Sequence, residues 1–591
     1  MYEYRAPRRD FAFVVHEVLG AERVLADLGR GDVNRELIEG VTEEAARFAE
    51  TVLSPLNWQG DWNPPVLAAG KVTTPAGFRE AYQQFCRDGW AGMSADPAYG
   101  GQGLPAIAQI AVGEMLCSAA MAWRMASGLS EGAVQAVARH GSEALKAGYL
   151  AKLVTGAWTG TMCLTEPQAG TDLGILRTRA EPADAGSYRV SGTKIFISWG
   201  EHDLADNIVH LVLARLPDAL PGTRGISLFL VPKLVDGAPN GVTCLSLEHK
   251  MGIHGSPTCV LEFAGARGWL IGNPGGGLAC MFTMMNHARL GVGLQGLGLS
   301  ERALQAAVRY AFERVQGRGA RGPVARDQNA DPIIVHADVR RMVLTVKALT
   351  EGQRLLCYQT YLYLDAEHLA ADPAERERAG QLVALLVPIV KAFLTESALE
   401  TTGLAVQVHG GAGFIRDTGV EQYVRDAKIA CIYEGTNGIQ ALDLLGRKVL
   451  GSGGASLELL AAEIRRTLAL DIPADLKPWA AAVTEGVGEW AALTALVGAR
   501  AAADPEEVGA ASADYLAHAG YVTVGWCWLR SALVARAALA AGSAEAPFYE
   551  GKLVAARFYF ERLLPRARAH AAAVRAGAGS IPSLTVEQFA G

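Results

Sequence analysis

The sequence predicts a mainly α-helical protein with a central β domain, and three observations predict it. Apolar residues recur at helical spacing as far as about residue 159. Between about 161 and 273 the texture changes to short apolar runs separated by Gly, Pro, Asn and Asp, as strands and turns require. From 278 onward long helical patterns return. The chain has 591 residues, room for about four domains at roughly 150 residues each. Half of the residues are apolar, 19% are charged and the mean hydropathy is +0.15, which excludes an intrinsically disordered chain, poor in side chains to bury.

Taken in order, the opening run MYEYRAPRRDFAFVVHEVLG has basic residues but neither a sustained apolar stretch nor a small-residue cleavage site, so no signal peptide is expected. Leu37, Val41 and Ala45, and later Leu145, Tyr149 and Leu153, place apolar side chains on one helix face. Residues 96–104 are dense in turn formers and read as a loop between helices. The apolar runs 208–213 and 226–231 read as strands, and 188–197, alternating around Ser191-Gly192-Thr193, reads as a hairpin. After Gly275-Gly276-Gly277, helical patterns cover 278–317, 332–369 and 374–408. Gly451-Ser452-Gly453-Gly454 then leads into an alanine-rich helical region. The expected domains are therefore 1–160 (helical), 161–277 (β), 278–450 (helical bundle) and 451–591 (helical).

Charge narrows the partners. Lys plus Arg total 54 against 61 Asp plus Glu, a net charge of −7, the wrong sign for a dedicated nucleic-acid binder. Residues 451–591, with 12 basic against 14 acidic side chains, show no basic excess either. The nine cysteines are odd in number and form no C-x-x-C, so they read as buried thiols in a reducing compartment rather than as a disulfide framework or a metal site. Lys391, Arg530 and Arg536 interrupt the most apolar stretches before the about 20 residues that a bilayer span requires. A cytoplasmic protein without membrane or nucleic-acid partners is expected.

Gly291-Val292-Gly293-Leu294-Gln295-Gly296 satisfies G-x-G-x-x-G, which marks a dinucleotide-binding turn when a strand precedes it and a helix begins on it. Helical periodicity runs on both sides of these glycines, so close helix packing is the expected role.

Two blocks carry chemistry. Residues 162–172 run from a strand through Glu166-Pro167 into Gly170-Thr171-Asp172, a loop whose backbone N–H groups and Thr hydroxyls suit a flat heterocycle or a phosphate; an ordinary Glu-Pro turn with a Thr cap fits the same residues. Residues 430–440 lead through Glu434 into a helix start with Thr436 as N-cap. Flanked by Ile432 and Tyr433, the Glu434 carboxylate is expected to be partly desolvated, which raises its pKa toward that of a general base; a surface acid at a helix N-terminus is the alternative.

Together, Thr165-Glu166-Pro167-Gln168-Ala169-Gly170-Thr171-Asp172 and Tyr433-Glu434-Gly435-Thr436-Asn437-Gly438-Ile439-Gln440 resemble the signatures of the acyl-CoA dehydrogenase flavoprotein family, T-E-P-x-A-G-[ST]-D and Y-E-G-T-x-x-I-Q. The order of helical and strand regions is similar to that family over residues 30 to 450, and the added C-terminal region resembles its longer bacterial branch. The resemblance implies an N-terminal helical domain, a β-barrel-like middle domain and a helical bundle. It implies FAD as cofactor, an acyl-CoA substrate oxidised to the 2-enoyl-CoA, electrons passed to an electron-transferring flavoprotein, and a homodimer with FAD at the subunit interface.

Residue by residue, it implies that Glu434 is the catalytic base; Ala288, at the family's other position for that base, cannot act. Met162, Leu164 and Thr165 would lie along the flavin, Met162 departing from the aromatic residue of many relatives. Gly170 and Thr171 would face the cofactor and the pantetheine, while Phe196 and Ser198 would wall the flavin. Arg314 and Gln316, followed by Gly317, would reach the FAD pyrophosphate of a neighbouring subunit, with Gln407, Gly410 and Gly411 as a second such contact. Arg314 followed by Gly317 also fits simple helix capping, and His409 reads as structural. Thr436 and Gly438 would touch the cofactor, and Asn286, Arg289 and Gly435 the substrate. The thioester oxygen would accept from the Glu434 N–H and a ribityl hydroxyl. An acyl-CoA oxidase using oxygen and a DNA-associated flavoprotein on the same scaffold are the competing functions. The acyl chain is left open, since pocket depth depends on side chains near Met93, Met121 and Trp123.

Overall fold

Residues 3–590 are described in the computed structural model. Of these, 3–6 and 41–291 gather into one unit, and 7–40 and 292–590 into a second.

In the first unit the apolar runs become strands. β1 (Trp158–Cys163), β2 (Arg179–Pro182), β3 (Tyr188–Ser198), β4 (Asn207–Arg215), β5 (Ile226–Pro232), β6 (Val242–Leu247) and β7 (Thr258–Ile271) form one seven-stranded sheet. β7 pairs with both β3 and β5, β5 with β4, and β4 meets β2, which pairs with β3. The sheet thus closes on itself, as the barrel-like expectation requires. β1 joins it parallel to β4. β4 shows why an unbroken apolar run is a strand here. Val209, Leu211 and Leu213 enter one core with Ala133, Ala136 and Val137 of helix α1 (Ala106–His140), while Val212 and Ala214 enter another on the opposite face. A Cβ on Gly160 would lie 2.3 Å from that of Ala133, so glycine is what lets β1 rest on α1.

The expected hairpin at 188–197 is instead a single strand, β3, with Gly192 in its middle. A Cβ there would lie 2.5 Å from the Thr178 hydroxyl oxygen, so the glycine answers a close approach and not a turn. A short two-stranded piece, Val66–Ala68 with Lys71–Thr73, interrupts the region expected to be helical. Met93, Met121 and Trp123 are all core residues; the Trp123 indole donates to the Phe78 carbonyl at 3.1 Å and meets the Phe85 ring edge-on.

The second unit is helical. It holds the end of α2 (Gly277–Glu313), then α3 (Ala337–Leu369), α4 (Pro373–His409), α5 (Glu421–Ala430) and α6 (Asn437–Leu442). The alanine-rich region adds α7 (Ala455–Leu468), α8 (Lys477–Ala501), α9 (Glu506–Ala540), α10 (Ala546–Phe558) and α11 (Arg566–Ala576). The G-x-G-x-x-G run lies inside α2. Cβ atoms on Gly293 and Gly296 would fall 2.6 Å from a Val390 methyl and 2.9 Å from the Leu394 carbonyl, so these glycines bring α2 and α4 into backbone contact. All nine cysteines are free thiols; eight are buried and Cys86 is half-buried.

Two helical runs, Ala106–His140 and Pro373–Phe414, are long and apolar enough to cross a membrane, contrary to the expectation that charges break every apolar stretch too soon. Within the protein, 89% and 83% of their apolar windows are buried, because a helix enclosed on all sides selects the same composition as one in lipid.

The helices of the second unit meet around buried charges. Asp10 accepts from Arg354 of α3 and Lys552 of α10. Arg354 also reaches Glu301 of α2 at 2.6 Å, and Lys552 reaches Glu351 of α3 at 2.8 Å. Burial alone would raise the Asp10 pKa, but the Lys552 and Arg354 charges outweigh it and hold the carboxyl well below its usual range. Arg354→Met, which takes a cation from two buried carboxylates, Glu301 and Asp10, and leaves Asp10 with Lys552, is expected to cost about 3–5 kcal/mol. Arg35→Ala, at an exposed pair with Glu39, is expected to cost under about 0.5 kcal/mol. Urea unfolding of both variants checks the contrast.

Candidate active site

In the first unit, one buried ion pair organises the residues expected to face a flavin. Lys194 of β3 is 0% exposed and Glu166, in the loop after β1, 3%. The Lys194 ammonium donates to Glu166 Oε1 at 2.8 Å and to the Leu164 carbonyl at 2.9 Å. Glu166 further accepts from the Arg177 N–H at 2.7 Å, the Thr178 N–H at 3.0 Å and the Thr178 hydroxyl at 2.6 Å. Burial would raise its pKa, but the Lys194 charge and these donors hold it down to about 2. Reciprocal bonds between the Glu166 and Ala169 backbones, 3.0 Å each, close the Glu-Pro-Gln-Ala turn. Glu166 and Lys194 are residues that shape the candidate site and that sequence reasoning did not single out. The available signal was a lysine inside an alternating strand, where an apolar residue or a partnered charge is expected.

Beyond Lys194, β3 bulges. Leu261 of β7 pairs with Lys194 and Cys259 with Ile197, so Ile195 and Phe196 together oppose one residue. Freed from the ladder, the Ile195 N–H donates to the Thr165 carbonyl at 2.9 Å. Phe196 takes a left-handed φ of 59° and presents a ring that is 58% exposed. A non-glycine residue in that region costs on the order of 1–3 kcal/mol and survives only where its surroundings impose it; here the Lys194 and Ile195 bonds do. Leu164, Thr165 and Phe196 are thus brought together. Leu164 is buried, and Thr165, Met162 and Ser198 are half-buried, Met162 packing on the core shared with α1. Gly170 and Thr171 lie on the exposed part of the loop, which Asp172 closes by accepting from the Gly174 N–H at 2.8 Å.

Asn286 and Arg289 lie one turn apart on α2, and Arg289 Nη1 donates to Asn286 Oδ1 at 3.4 Å. His287 between them is held from α1: its Nε2 lies 3.5 Å from Glu131, which pairs with Arg124 at 2.9 Å. Burial would raise the Glu131 pKa, but Arg124 and His287 hold it down to about 2.

In the second unit, Glu434 stands in the turn between α5 and α6. The Cys431 carbonyl accepts from the Asn437 N–H at 3.1 Å and from the Thr436 hydroxyl at 3.0 Å. Thr436 therefore occupies the N-cap position that the sequence suggested, but its hydroxyl goes to Cys431 and does not cap the helix. Asn437 clamps the turn to α4, accepting from Lys391 at 2.7 Å and donating to Glu396 at 2.8 Å. The Tyr433 hydroxyl donates to Gln295 of α2. Gly435 has a φ of 65°, which turns the chain sharply after the glutamate. Glu434 is half-buried; the expected apolar flank is only partial, since Ile432 is 54% exposed. Gly438 is exposed at the start of α6.

Elsewhere in the same unit, the Tyr310 ring stacks on His409 at 4.3 Å, and His409 Nδ1 bonds the Ala405 carbonyl at 2.7 Å. Burial lowers the His409 pKa, which favours the neutral ring, and the stack makes it a packing element. This stack brings the end of α2, with Arg314 and Gln316 just beyond, beside the end of α4, with Gln407, Gly410 and Gly411. All five are exposed, and the two glycines would meet nothing within 4 Å if given a Cβ. Gly410 has a φ of 59°, so its backbone offers an open surface to a phosphate.

Comparisons with known proteins bear on this arrangement. Residues 36–157, 161–266 and 275–450 match the families described as the N-terminal, middle and C-terminal domains of acyl-CoA dehydrogenase, and 460–585 match "Acetyl-CoA dehydrogenase C-terminal like". The 3-methylmercaptopropionyl-CoA dehydrogenase of Ruegeria pomeroyi is 44% identical over 576 residues, covering 95% of this chain and 96% of that protein. A butyryl-CoA dehydrogenase of Syntrophomonas wolfei is 36% identical over 588 residues, 95% of each chain. The solved structure of Caenorhabditis elegans ACDH-11 in complex with C11-CoA superposes with a TM-score of 0.80 over 95% of this chain and 92% of that one, at 20% identity, a likeness of fold.

Lys194→Met, which leaves the Glu166 charge buried alone, is expected to destabilise the protein by about 3–5 kcal/mol, and the added change Glu166→Gln to recover much of that loss. With its folded pKa of about 2 below the ordinary 4.5, Glu166 contributes its full stabilisation above about pH 4.5 and loses it as pH falls toward 2. Urea midpoints of the parent and the double variant across that window check the sign: only the parent should lose this contribution.

Proposed function

The chain belongs to the acyl-CoA dehydrogenase family, and we propose that it oxidises an acyl-CoA thioester to the 2-enoyl-CoA with Glu434 removing the α-proton. The observation that carries this reading is the turn holding Glu434, a half-buried residue whose backbone is fixed from two sides by Tyr433 on Gln295 and Asn437 on Lys391. A base so held keeps its orientation without paying conformational entropy at each turnover. The alternative position, Ala288, has no group to accept a proton. The Glu434 N–H donates to the thioester oxygen and stabilises the negative charge that develops as the α-proton leaves. Arg289 and Asn286 hold the coenzyme A side of the substrate, and Thr171 the pantetheine.

The residues present fit FAD. Phe196 is exposed on a strained bulge beside Leu164 and Thr165, and the open backbone of Gly410 and Gly411 stands beside Arg314 and Gln316. When bound, FAD supplies the acceptor for the β-hydride. Leu164, Thr165, Phe196 and Ser198 orient the ring, and Arg314, Gln316, Gln407, Gly410 and Gly411 hold the pyrophosphate. Electrons then pass to an electron-transferring flavoprotein, and the protein acts as a homodimer. The names of the two relatives, both carrying acyl groups of four or five chain atoms, make 3-methylmercaptopropionyl-CoA and butyryl-CoA the first substrates to test.

Anaerobic addition of acyl-CoAs to the FAD-loaded protein should bleach the flavin band with one class of thioester. Glu434→Gln should keep FAD binding while slowing bleaching by about 10²–10⁴-fold; an unchanged rate removes Glu434 from the role of base. Dye-linked turnover without oxygen uptake separates the dehydrogenase from an oxidase.

A further inference from the structure

We propose that the loop 317–330 is an anion-binding element for an adenosine diphosphate group, the moiety shared by FAD and coenzyme A, and that Asp331 is the positioning residue that gives the loop its shape. The proposal rests on the reading of this chain as an enzyme that binds FAD and acyl-CoA, and adds to it residues beyond Arg314 and Gln316.

Asp331 is 0% exposed, although it borders an exposed loop. Its Oδ1 accepts from the Val324 N–H at 3.0 Å and the Ala325 N–H at 2.8 Å, its Oδ2 from the Gly319 N–H at 2.9 Å, and Arg318 Nη1 lies 3.2 Å from Oδ1. The donors, Gly319 first, hold the carboxyl down to about 2, so it stays charged at any physiological pH. Two of the donor positions, Gly319 and Ala325, start turns. Gly322 N–H bonds the Gly319 carbonyl at 2.9 Å, and Gln328 N–H bonds that of Ala325 at 3.2 Å. Arg321 stands within the first turn and Arg326 within the second. One carboxylate thus fixes the bases of two turns that each present an arginine.

The same aspartate shares a frame with the expected pyrophosphate residues. Gln316 N–H donates to the Asp331 carbonyl at 2.9 Å, Asp331 N–H to Gly317 at 2.9 Å, and Ile333 N–H to Arg314 at 2.8 Å. A shift of Asp331 would therefore move Arg314 and Gln316 with the loop.

Charge points to the ligand. The loop carries three arginines against one aspartate in a chain of net charge −7. Arg318 is used internally, on Asp331 and on the Ala325 carbonyl at 2.9 Å. Among the described residues no carboxylate pairs with Arg314, Arg321 or Arg326, all exposed, whereas Arg309 and Arg341 on the adjoining helices pair with Glu313 and Asp338. Three forked cations held on one ordered segment, without counter-charges, match a diphosphate, whose oxygens accept paired N–H bonds.

The test is the double variant Arg321→Ala/Arg326→Ala, with Arg321→Lys/Arg326→Lys as the charge-keeping control and the thermal midpoint as the check on folding. For FAD as the source, the Kd of the apoprotein for FAD, read by flavin fluorescence, should rise about tenfold or more in the alanine variant, less in the lysine variant, and depend less steeply on salt. For coenzyme A as the source, FAD binding should be kept and the KM for acyl-CoA should rise by a similar factor at unchanged kcat. Values within twofold of the parent in both measurements overturn the proposal. A parent protein that takes up neither FAD nor acyl-CoA overturns the functional reading itself, and this proposal with it.

Discussion

A charge pair that must not be exposed sets the geometry of the first unit's candidate site. Placing the Lys194 ammonium and the Glu166 carboxylate in the interior costs several kcal/mol per ion unless each is fully compensated. Compensation is what the local backbone supplies. The Leu164 carbonyl turns to the ammonium, and the Arg177 and Thr178 amides turn to the carboxylate. The path of the loop and the bulge of β3 are consequences of meeting those needs. Leu164, Thr165 and Phe196, which touch neither charge through their side chains, are set in place by them.

The second unit repeats the arrangement with other residues. Asp331 gathers donors from a loop, Asn437 ties the Glu434 turn to a buried lysine, and Asp10 gathers cations from two helices. In each case a buried or half-buried polar side chain dictates the backbone around it because an unpaired donor or acceptor there is more costly than a distorted turn. In this unit the residues expected to contact ligands are themselves exposed or half-buried.

What the sequence disclosed follows from this division. Periodicity exposed the helices and strands, since α2, α3, α4 and β4 repeat their apolar residues along the chain. The two signature blocks marked Glu434 and Thr165 as candidates, since a motif is local. Gly192 was misread as a turn because its close neighbour, Thr178, comes from a separate segment just before β2, and a glycine answering a distant contact has the same local signature as one that bends the chain. Gly293 and Gly296 were read rightly because helical periodicity continued on both sides. Glu166, Lys194 and Asp331 stayed hidden for the opposite reason: their roles lie in partners up to 28 residues away, and no local pattern marks a charge as buried. The interior character of Pro373–Phe414 was equally hidden, because Lys391 reads as a break in the apolar run until its partner Asn437 is known.

The Asp10 cluster also bears on how the protein is made. Asp10 and Lys552 are 542 positions apart, so at about 5–20 residues per second a ribosome finishes the cation roughly half a minute to two minutes after the anion. Throughout that interval the Asp10 carboxylate has Arg354 at most as a counter-charge, so its burial is only partly compensated. The buried pairing of Asp10 can therefore be completed only once the chain has been synthesised through Lys552.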